Sequence, residues 1–263
     1  SGEASVQALI AGNDMLCLPG DVPGAIQKVK EAIKEGRLNW DAINASVKKI
    51  LLAKYHLGLN NLQPVDTTNL VNDLNKHTNQ IRTLLSKNAI TLLRKSNLQA
   101  FPLAKGKKIA YISVGAAGLN TIATRFAKEL NADVYQFGAK AAIGKQLMDD
   151  QNAGVIPADK SDSAAAKTLI ANIRSKGYDA VVIGVHNYSR RPANNYGISN
   201  ATVYLLNQLQ EDKTITLFFG NPYAISNCNY ATNLLACYED DDLTQLAAFD
   251  VLTGKNEAKG SLP

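Results

Sequence analysis

Several side chains that could bind a substrate lie together in one polar loop. Arg190, Arg191 and Asn195 fall in the segment 187–199, NYSRRPANNYGIS, directly after a run of β-branched residues. Guanidinium and amide groups suit hydrogen bonds to sugar hydroxyls or to a substrate carboxylate. A solvated loop, with one of the arginines at a domain interface, is the alternative interpretation. We look for function here first, because loops that follow buried strands are rich in binding residues.

The carboxylates offer two further candidates. Asp14 precedes a short apolar run, Met15–Leu18, which we predict to be a strand. Asp14 could therefore face a binding cleft, although a hydrogen bond to the backbone at the strand entry is the favoured role. The acidic cluster 239–242 immediately precedes a predicted helix, where acidic residues cap the helix and complement its dipole. We predict a structural role for this cluster.

Histidine and glycine patterns add little chemistry. The three histidines, His56, His77 and His186, have no ligand spacing, so no metal site is predicted. His186 ends the central apolar run, and no carboxylate can be assigned to orient it, so a hydrogen-bonded structural role is expected. Gly115 and Gly118 follow a strand but fit neither phosphate-loop spacing, and they predict a tight turn.

Composition excludes some classes of protein. The 263-residue chain has a net charge of +5 without a dense basic block, so nucleic acid is not a predicted partner. No apolar stretch approaches the length of a membrane span. Cys17 lies in an apolar run and is predicted to be buried. Cys228 and Cys237 could pair, but the sequence does not decide this and leaves the redox compartment open.

Strands that alternate with helices must position these side chains. The run Tyr178–Asn187 predicts a strand buried on both faces, as is typical of a parallel sheet covered by helices. Similar runs lie at 108–114, 132–137, 214–219 and 233–238, and helical patterns lie at 119–130, 142–151, 164–176, 201–210 and 243–253. This order predicts an α/β fold with an open, mostly parallel sheet and helices on both faces.

Residues 1–60 follow a different order, which is helix, strand, helix and helix. Asn39 is a plausible N-cap of the last helix, whose apolar face includes Trp40 and Tyr55. So small a unit cannot bury both faces of its single strand, and we expect it to close a larger barrel or sheet. The chain lacks an initiator Met and starts inside a helical pattern, which suggests an excised fragment.

Taken together, the segments resemble glycoside hydrolase family 3, in the branch of the β-N-acetylhexosaminidases. The resemblance is to the family's last barrel strand, closing barrel helix, domain crossing, later sandwich strand and C-terminal tail, in the family's order. The five blocks are AGNDMLCLPGD at 11–21, INASVKKILLAKYHLGL at 43–59, KNAITLLRKSNLQAFPLAKGKKIAYISV at 87–114, FGNPYAI at 219–225 and VLTGKNEAKGSLP at 251–263. Each block alone is weak, but the ordered set is fairly specific.

The resemblance implies a domain organisation. In this family a (β/α)₈ barrel precedes an α/β sandwich. Residues 1–60 would then be the terminal segment of a truncated barrel, 61–106 a linker with a connecting helix and strand, and 107–263 the sandwich domain. The missing barrel of the same polypeptide becomes a predicted partner.

The resemblance also implies an activity. The whole protein would be a retaining exo-β-N-acetylhexosaminidase that hydrolyses a carbohydrate with a terminal β-linked N-acetylglucosamine. The family's nucleophile and acid/base lie upstream of the block at 11–21, so no catalytic residue is assigned here and the chain alone is predicted to be inactive. Asp14, Arg190, Arg191 and Asn195 remain candidate substrate-binding residues. No metal or organic cofactor is implied, and related enzymes are often exported or lipid-anchored, which favours an extracytoplasmic location.

Three alternatives stay open. A β-glucosidase of the same family would use a glutamate of the sandwich as proton donor, which makes Glu239 worth naming. A non-catalytic carbohydrate-binding or interaction module belongs to a different class. A nucleotide-binding α/β domain is disfavoured by the glycine spacing.

Overall fold

The structure is a computed structural model that describes residues 2–17, 19–96, 101–138 and 163–262. The chain divides into two compact units, residues 1–71 and residues 72–263. This division falls inside the segment 61–106 that the sequence predicts to be a linker. Among the described residues, no helix is long and apolar enough to span a membrane.

The first unit is built from helices. Helix α1 (Gly2–Ile10) packs against α2 (Val22–Lys34), and Val6 and Ala32 form a small core with no exposed surface. Helix α2 begins after Asp21, whose carboxylate accepts a hydrogen bond from the third residue along the chain. This cap satisfies one of the free N–H groups of the first helical turn.

Helix α3 (Trp40–His56) starts where its cap predicts. The side chain of Asn39 accepts a hydrogen bond of 2.8 Å from the N–H of Ala42. No residue of this helix is buried, and its large apolar side chains include Trp40 at 59%, Leu51 at 58% and Tyr55 at 62% exposure. A 3₁₀ turn (Leu59–Asn61) and α4 (Leu70–Asn75) follow it.

The predicted strand Met15–Leu18 is wrong for the part of it that the structure describes. Residues 15–17 have no regular secondary structure, and Leu18 lies outside the described residues. A strand persists only where its N–H and C=O groups pair with a neighbouring strand, and no described segment pairs with this one. The prediction that Cys17 is buried is also wrong. The segment has no paired strand, and its thiol is exposed.

The second unit contains a six-stranded sheet with the order β1-β6-β5-β4-β2-β3. The described strands are β1 (Thr91–Arg94), β2 (Ile109–Val114), β3 (Asp133–Phe137), β4 (Ala180–Val185), β5 (Thr214–Phe218) and β6 (Asn233–Ala236). Strands β2 to β6 pair in parallel, and β1 pairs antiparallel with β6. The predicted α/β fold with a mostly parallel sheet is confirmed.

Helices cover both faces of this sheet. They are α5 (Thr78–Ala89), α6 (Thr121–Leu130), α7 (Ser163–Ser175), α9 (Asn200–Gln208) and α10 (Asp242–Leu252), whereas α8 (Ala193–Tyr196) is a short turn without a buried residue. Successive strand residues point to opposite faces. Ile112 and Ile183 therefore join the core formed with α7 and α9, whereas Tyr111 and Val182 join the core formed with α6 and α10.

The segment before β2 belongs partly to the sheet. Thr91 pairs with Ala236, and Ile90, the residue before β1, has no exposed surface. For the described elements that the sequence predicts from 107 onward, the boundaries agree to within two residues. The helix predicted at 142–151 lies outside the described residues.

Candidate functional site

The carboxyl ends of the parallel strands bring several loops to one edge of the sheet. Strand β2 lies between β3 and β4, so the chain leaves β2 towards one side and later returns on the other. Loops diverge at such a switch point and leave a crevice, where open α/β sheets bind ligands. The two loops here are 115–120, after β2, and 187–199, after β4.

A buried histidine lies where these loops meet. His186 follows β4 and is 2% exposed. Its Nδ1 lies 2.8 Å from Asp240 Oδ1, and its Nε2 lies 2.8 Å from the hydroxyl of Tyr111. The imidazole also stacks on Phe219, with ring centroids 4.5 Å apart. The expected hydrogen-bonded role of His186 fits these contacts, but sequence reasoning missed its carboxylate partner.

The hydrogen bonds define the tautomer of His186. Asn120 Oδ1 accepts the N–H of Ala123 at 3.0 Å, which turns the Nδ2 of Asn120 towards His186 Nε2 at 3.1 Å. Asn120 Nδ2 can only donate, so Nε2 must accept. Nδ1 then carries the proton and donates it to Asp240. We therefore assign His186 as a neutral imidazole with its proton on Nδ1, and this assignment rests on the hydrogen bonds.

Asp240 gathers three donors. Besides His186, its Oδ2 accepts the backbone N–H of Asn187 at 2.9 Å, and its Oδ1 accepts Gln245 Nε2 at 2.8 Å. Burial alone would raise the pKa of Asp240, but the hydrogen bond from His186, together with those from the other two donors, holds this pKa below its usual value. Burial, reinforced by the charge of Asp240, raises the pKa of Tyr111 well above its usual value. Tyr111 therefore remains a donor.

These contacts make the His186–Asp240 pair an anchor. The lone pair of Nε2 is shared by two protein donors, Tyr111 and Asn120, and His186 is enclosed, so the imidazole is not presented to a substrate as a base. Asn187 has φ +52°, and its Nδ2 donates to the carbonyl of Gly115 at 3.2 Å. The pair thus holds the point at which loop 187–199 leaves the sheet.

The turn after β2 is also closed by protein contacts. Gly115 has φ +82°, and a Cβ atom there would lie 2.4 Å from the carbonyl oxygen of His186, so only glycine fits. At the start of α6, the N–H of Ile122 donates to Gln245 Oε1 at 3.1 Å, and the N–H of Ala123 donates to Asn120. These two amides already have protein acceptors, so they are not left for a phosphate. The geometry therefore fits the predicted tight turn.

The candidate binding residues of loop 187–199 lie at the exposed rim of this edge. Arg190 Nη2 lies 3.4 Å from Glu239 Oε2, and both side chains are exposed. The backbone N–H of Arg191 donates to Ser189 Oγ at 3.0 Å, and the residue itself is exposed. Asn195 Nδ2 donates to the carbonyl of Ile198 at 3.2 Å. The structure therefore brings Arg190 close to Glu239, a pairing that was not predicted.

The same loop contains a left-handed turn. Asn194, Asn195 and Tyr196 have φ values of +51°, +55° and +57° in succession. Left-handed conformations strain every residue other than glycine, and among these residues asparagine is one of the least strained. The turn is held by hydrogen bonds, including one of 2.8 Å from the N–H of Ser189 to the carbonyl of Tyr196. Backbone strain of this kind concentrates at functional sites.

Asp14 belongs to the first unit. Its carboxylate accepts hydrogen bonds from Ser46 Oγ at 2.8 Å and from Lys49 Nζ at 2.9 Å. The bonds from Lys49 and Ser46, in that order, lower the pKa of Asp14. Both partners lie on α3. Asp14 thus has structural contacts, and its role in substrate binding stays a prediction.

The acidic cluster has mixed roles. Asp241 caps α10 by accepting the N–H of Thr244 at 2.8 Å, as the sequence predicts. Asp242 accepts a hydrogen bond from Thr121 Oγ1. Asp240 is the histidine partner, and Glu239 faces solvent. Across the described segments, no group of three histidine, cysteine or acidic side chains is placed to hold a metal ion.

Comparisons with known proteins recover the fold. No protein-family model matches the chain, and no curated protein matches it significantly. Among solved structures, the chain is similar over its full length to a glycoside hydrolase family 3 β-N-acetylglucosaminidase from Paenibacillus sp. str. FPU-7, with 21% identity and a TM-score of 0.64. A β-glucoside phosphorylase has 16% identity and a TM-score of 0.66 over 99% of the chain, and a β-glucosidase from Listeria innocua has 18% identity and a TM-score of 0.60 over 97%.

The extent of these matches is unequal. The chain spans 47%, 45% and 36% of the lengths of these three proteins, so it corresponds to less than half of each. At these identities the likeness concerns the fold. The described chain has the fold found in the C-terminal part of glycoside hydrolase family 3 enzymes, in which a mostly parallel sheet is covered by helices.

Proposed function

We propose that the chain is the C-terminal region of a retaining exo-β-N-acetylhexosaminidase, which releases terminal β-linked N-acetylglucosamine. The observation that carries this proposal is the match of the entire chain to part of a family 3 β-N-acetylglucosaminidase. The five sequence blocks between 11 and 263 support the same branch of the family.

The catalytic carboxylates are proposed to lie outside this chain. Retaining hydrolysis needs a nucleophile and a proton donor on opposite sides of the glycosidic bond, and in the proposed branch these are an aspartate and an Asp–His pair upstream of residue 11. At the carboxyl edge of the sheet, Asp240 is bound by three donors, and Asp241 caps α10. Neither is available as a nucleophile. Residues 1–60 are proposed to close the barrel that supplies both groups.

The sheet edge is proposed to contribute to substrate binding. Arg190 and Arg191 present exposed guanidinium groups, and Asn195 lies in the left-handed turn beside them. Such groups bind sugar hydroxyls by directional hydrogen bonds. Asp14, in the first unit, is proposed separately as a substrate-binding residue. The buried His186–Asp240 pair supports the loop without touching the substrate.

A family 3 β-glucosidase is the second candidate. Glu239 is an exposed carboxylate at the carboxyl edge, and β-glucosidases are among the structural matches. In that case Glu239 would donate the proton to the leaving group. A non-catalytic carbohydrate-binding or interaction module is the remaining alternative, and glycan binding without turnover by the whole protein would support it.

Two aryl glycosides test the proposal. The whole protein that contains this chain and the isolated 263-residue chain are assayed with p-nitrophenyl N-acetyl-β-glucosaminide and with p-nitrophenyl β-glucoside. We expect the whole protein to hydrolyse the first and the isolated chain to hydrolyse neither. Turnover by the isolated chain at the rate of the whole protein would refute the placement of the catalytic groups.

The variant Glu239→Gln separates the two enzymes. Loss of a general acid lowers kcat by about a hundredfold or more. We expect less than about a tenfold loss in the whole protein, because Glu239 is not the proton donor in the proposed hexosaminidase. A larger loss on the β-glucoside would favour the glucosidase.

A further inference from the structure

Three exposed side chains lie on neighbouring loops at the carboxyl edge, and we call them the edge platform. Arg190 follows β4, Tyr223 follows β5 and Glu239 follows β6. Strand β5 lies between β4 and β6, so the three loops are neighbours. Tyr223 is 78% exposed, and the side chains of Arg190 and Glu239 are 84% and 64% exposed. An aromatic ring, a cation and a carboxylate thus meet solvent on one rim.

The side chain of Asn221 joins two parts of the platform. Its Oδ1 accepts the backbone N–H of Tyr223 at 3.0 Å, and its Nδ2 donates to the carbonyl of Arg190 at 2.8 Å. The hydroxyl of Tyr188, a buried residue, donates to the carbonyl of Asn221 at 3.2 Å. Because these hydrogen bonds involve backbone atoms, they hold the backbone of Arg190 and Tyr223 relative to the core, while both side chains remain exposed.

The ion pair of the platform leaves donors and acceptors unused. Arg190 Nη2 lies 3.4 Å from one oxygen of Glu239. A guanidinium has five N–H donors and a carboxylate has two acceptor oxygens, so most of both groups remains available to a ligand. Exposed ion pairs contribute little to stability, and a ligand can therefore rearrange this one at low cost.

This combination matches the surface of a pyranose ring. One face of a β-linked pyranose carries C–H groups, which pack against the apolar face of an aromatic ring, while hydroxyl and acetamido groups lie at its rim. Arg190 can donate to hydroxyl or acetamido oxygens, and Glu239 can accept from hydroxyl or amide hydrogens. Exposure of a single tyrosine would not suffice, since isolated exposed apolar groups are normal.

We propose that the edge platform binds an oligosaccharide of β-linked N-acetylglucosamine, with Tyr223 as the stacking residue. The choice of sugar rests on the proposed function, whereas the platform itself rests on its three side chains and on Asn221. The binding needs no catalytic group, so the isolated 263-residue chain suffices to detect it.

Titration with chitotetraose tests the platform. The chain is titrated with the tetrasaccharide and the Kd is measured by calorimetry or by NMR shifts. We expect Tyr223→Ala to weaken binding about tenfold, the scale of one aromatic contact. Tyr223→Phe retains the ring and keeps binding within about twofold, and Arg190→Ala weakens it by a similar factor to Tyr223→Ala.

Tyr230→Ala is the matched control. Tyr230 is 73% exposed, almost as much as Tyr223. It precedes β6, however, and so lies near the amino-terminal ends of the parallel strands, away from the platform. We expect this variant to bind like the original chain. Thermal unfolding checks that each variant folds. Absence of binding by the original chain, or equal weakening by Tyr223→Ala and Tyr230→Ala, overturns the platform.

The assay of the whole protein keeps this proposal apart from the proposed function. Hydrolysis of the N-acetyl-β-glucosaminide without chitotetraose binding by the chain would refute the platform alone. Chitotetraose binding that depends on Tyr223, without hydrolysis by the whole protein, would refute the enzyme assignment and leave the platform standing.

Discussion

His186 Nδ1 and Asp240 Oδ1 lie 2.8 Å apart, although 54 residues separate them in the chain. His186 follows β4 and Asp240 follows β6, while β5 lies between these strands. The bond therefore joins two loops across an intervening strand. The same carboxylate accepts the N–H of Asn187, so the first residue of loop 187–199 depends on a side chain from another loop.

Replacement of this carboxylate should destabilise the second unit. In Asp240→Asn, one oxygen becomes an amide that faces the donors His186, Asn187 and Gln245. We expect the free energy of unfolding to fall by about 2 kcal/mol, the scale of a buried donor that loses its acceptor. Urea unfolding at neutral pH measures the change.

The control for this variant is Glu239→Gln. Glu239 precedes Asp240 directly, but its side chain is exposed and its ion pair with Arg190 spans 3.4 Å. We expect a change within about 0.5 kcal/mol. Equal losses in the two variants would contradict the anchor role of Asp240.

The pH dependence of stability follows from the direction of the Asp240 shift. Its pKa is lowered in the folded chain from 3.8, so the unfolded state binds the proton more readily. The stabilisation is complete above the unfolded pKa and is lost as pH falls through the folded pKa. We expect the difference in unfolding free energy between the original chain and Asp240→Asn to stay constant from about pH 7 to about pH 5 and to shrink below about pH 4.

Urea unfolding at several pH values measures this difference. Asp241→Asn is a useful comparison, because the pKa of Asp241 is also lowered: burial opposes the shift, and hydrogen bonds from Thr244 and Arg82 prevail. If the difference in unfolding free energy between the original chain and Asp240→Asn grew as the pH fell, the pH dependence would have the opposite sign. This result would contradict a lowered pKa of Asp240 in the folded chain.

The sheet could be predicted because its strands have a local signal. The β-branched run that becomes β4 is apolar on both faces, and all six residues of β4 are buried. Helical patterns on either side then require crossovers and parallel pairing. The run at 15–17 carries a similar signal, but no described strand pairs with it. A local pattern thus predicts burial only where partners exist.

The contacts of the site could not be predicted in the same way. Periodicity indicates which residues are buried, but the pairing of His186 with Asp240 depends on the order of β4, β5 and β6. A signal existed, because both residues follow strands of one parallel sheet, whose carboxyl ends share an edge. The capping role of its neighbour Asp241 is local and was predicted. The consecutive asparagines at 194–195 were a further unused hint of left-handed backbone.

Gly115 should be irreplaceable at the crossing of the two loops. A Cβ atom there would lie 2.4 Å from the carbonyl oxygen of His186, and φ is +82°. We expect Gly115→Ala to cost about 3 kcal/mol of stability, because strain and a backbone clash act together. Gly106 has φ +89° with no atom within 4 Å of its Cβ position, so Gly106→Ala should cost only about 1 kcal/mol. Equal costs, measured by urea unfolding, would show that the loops do not approach closely.

The three thiols should differ in reactivity. Cys17 is exposed, whereas Cys228 and Cys237 are buried and unpaired. Burial raises the pKa of Cys228 to about 11 and also raises that of Cys237, to which the charge of Asp240 adds. Since the thiolate is the reactive form, a disulfide reagent at neutral pH should modify Cys17 rapidly in the folded chain and the other two only after unfolding. Cys17→Ser removes the rapid phase and leaves the slow one. Rapid modification of Cys228 or Cys237 in the folded Cys17→Ser chain would contradict their enclosure by the sheet and its helices.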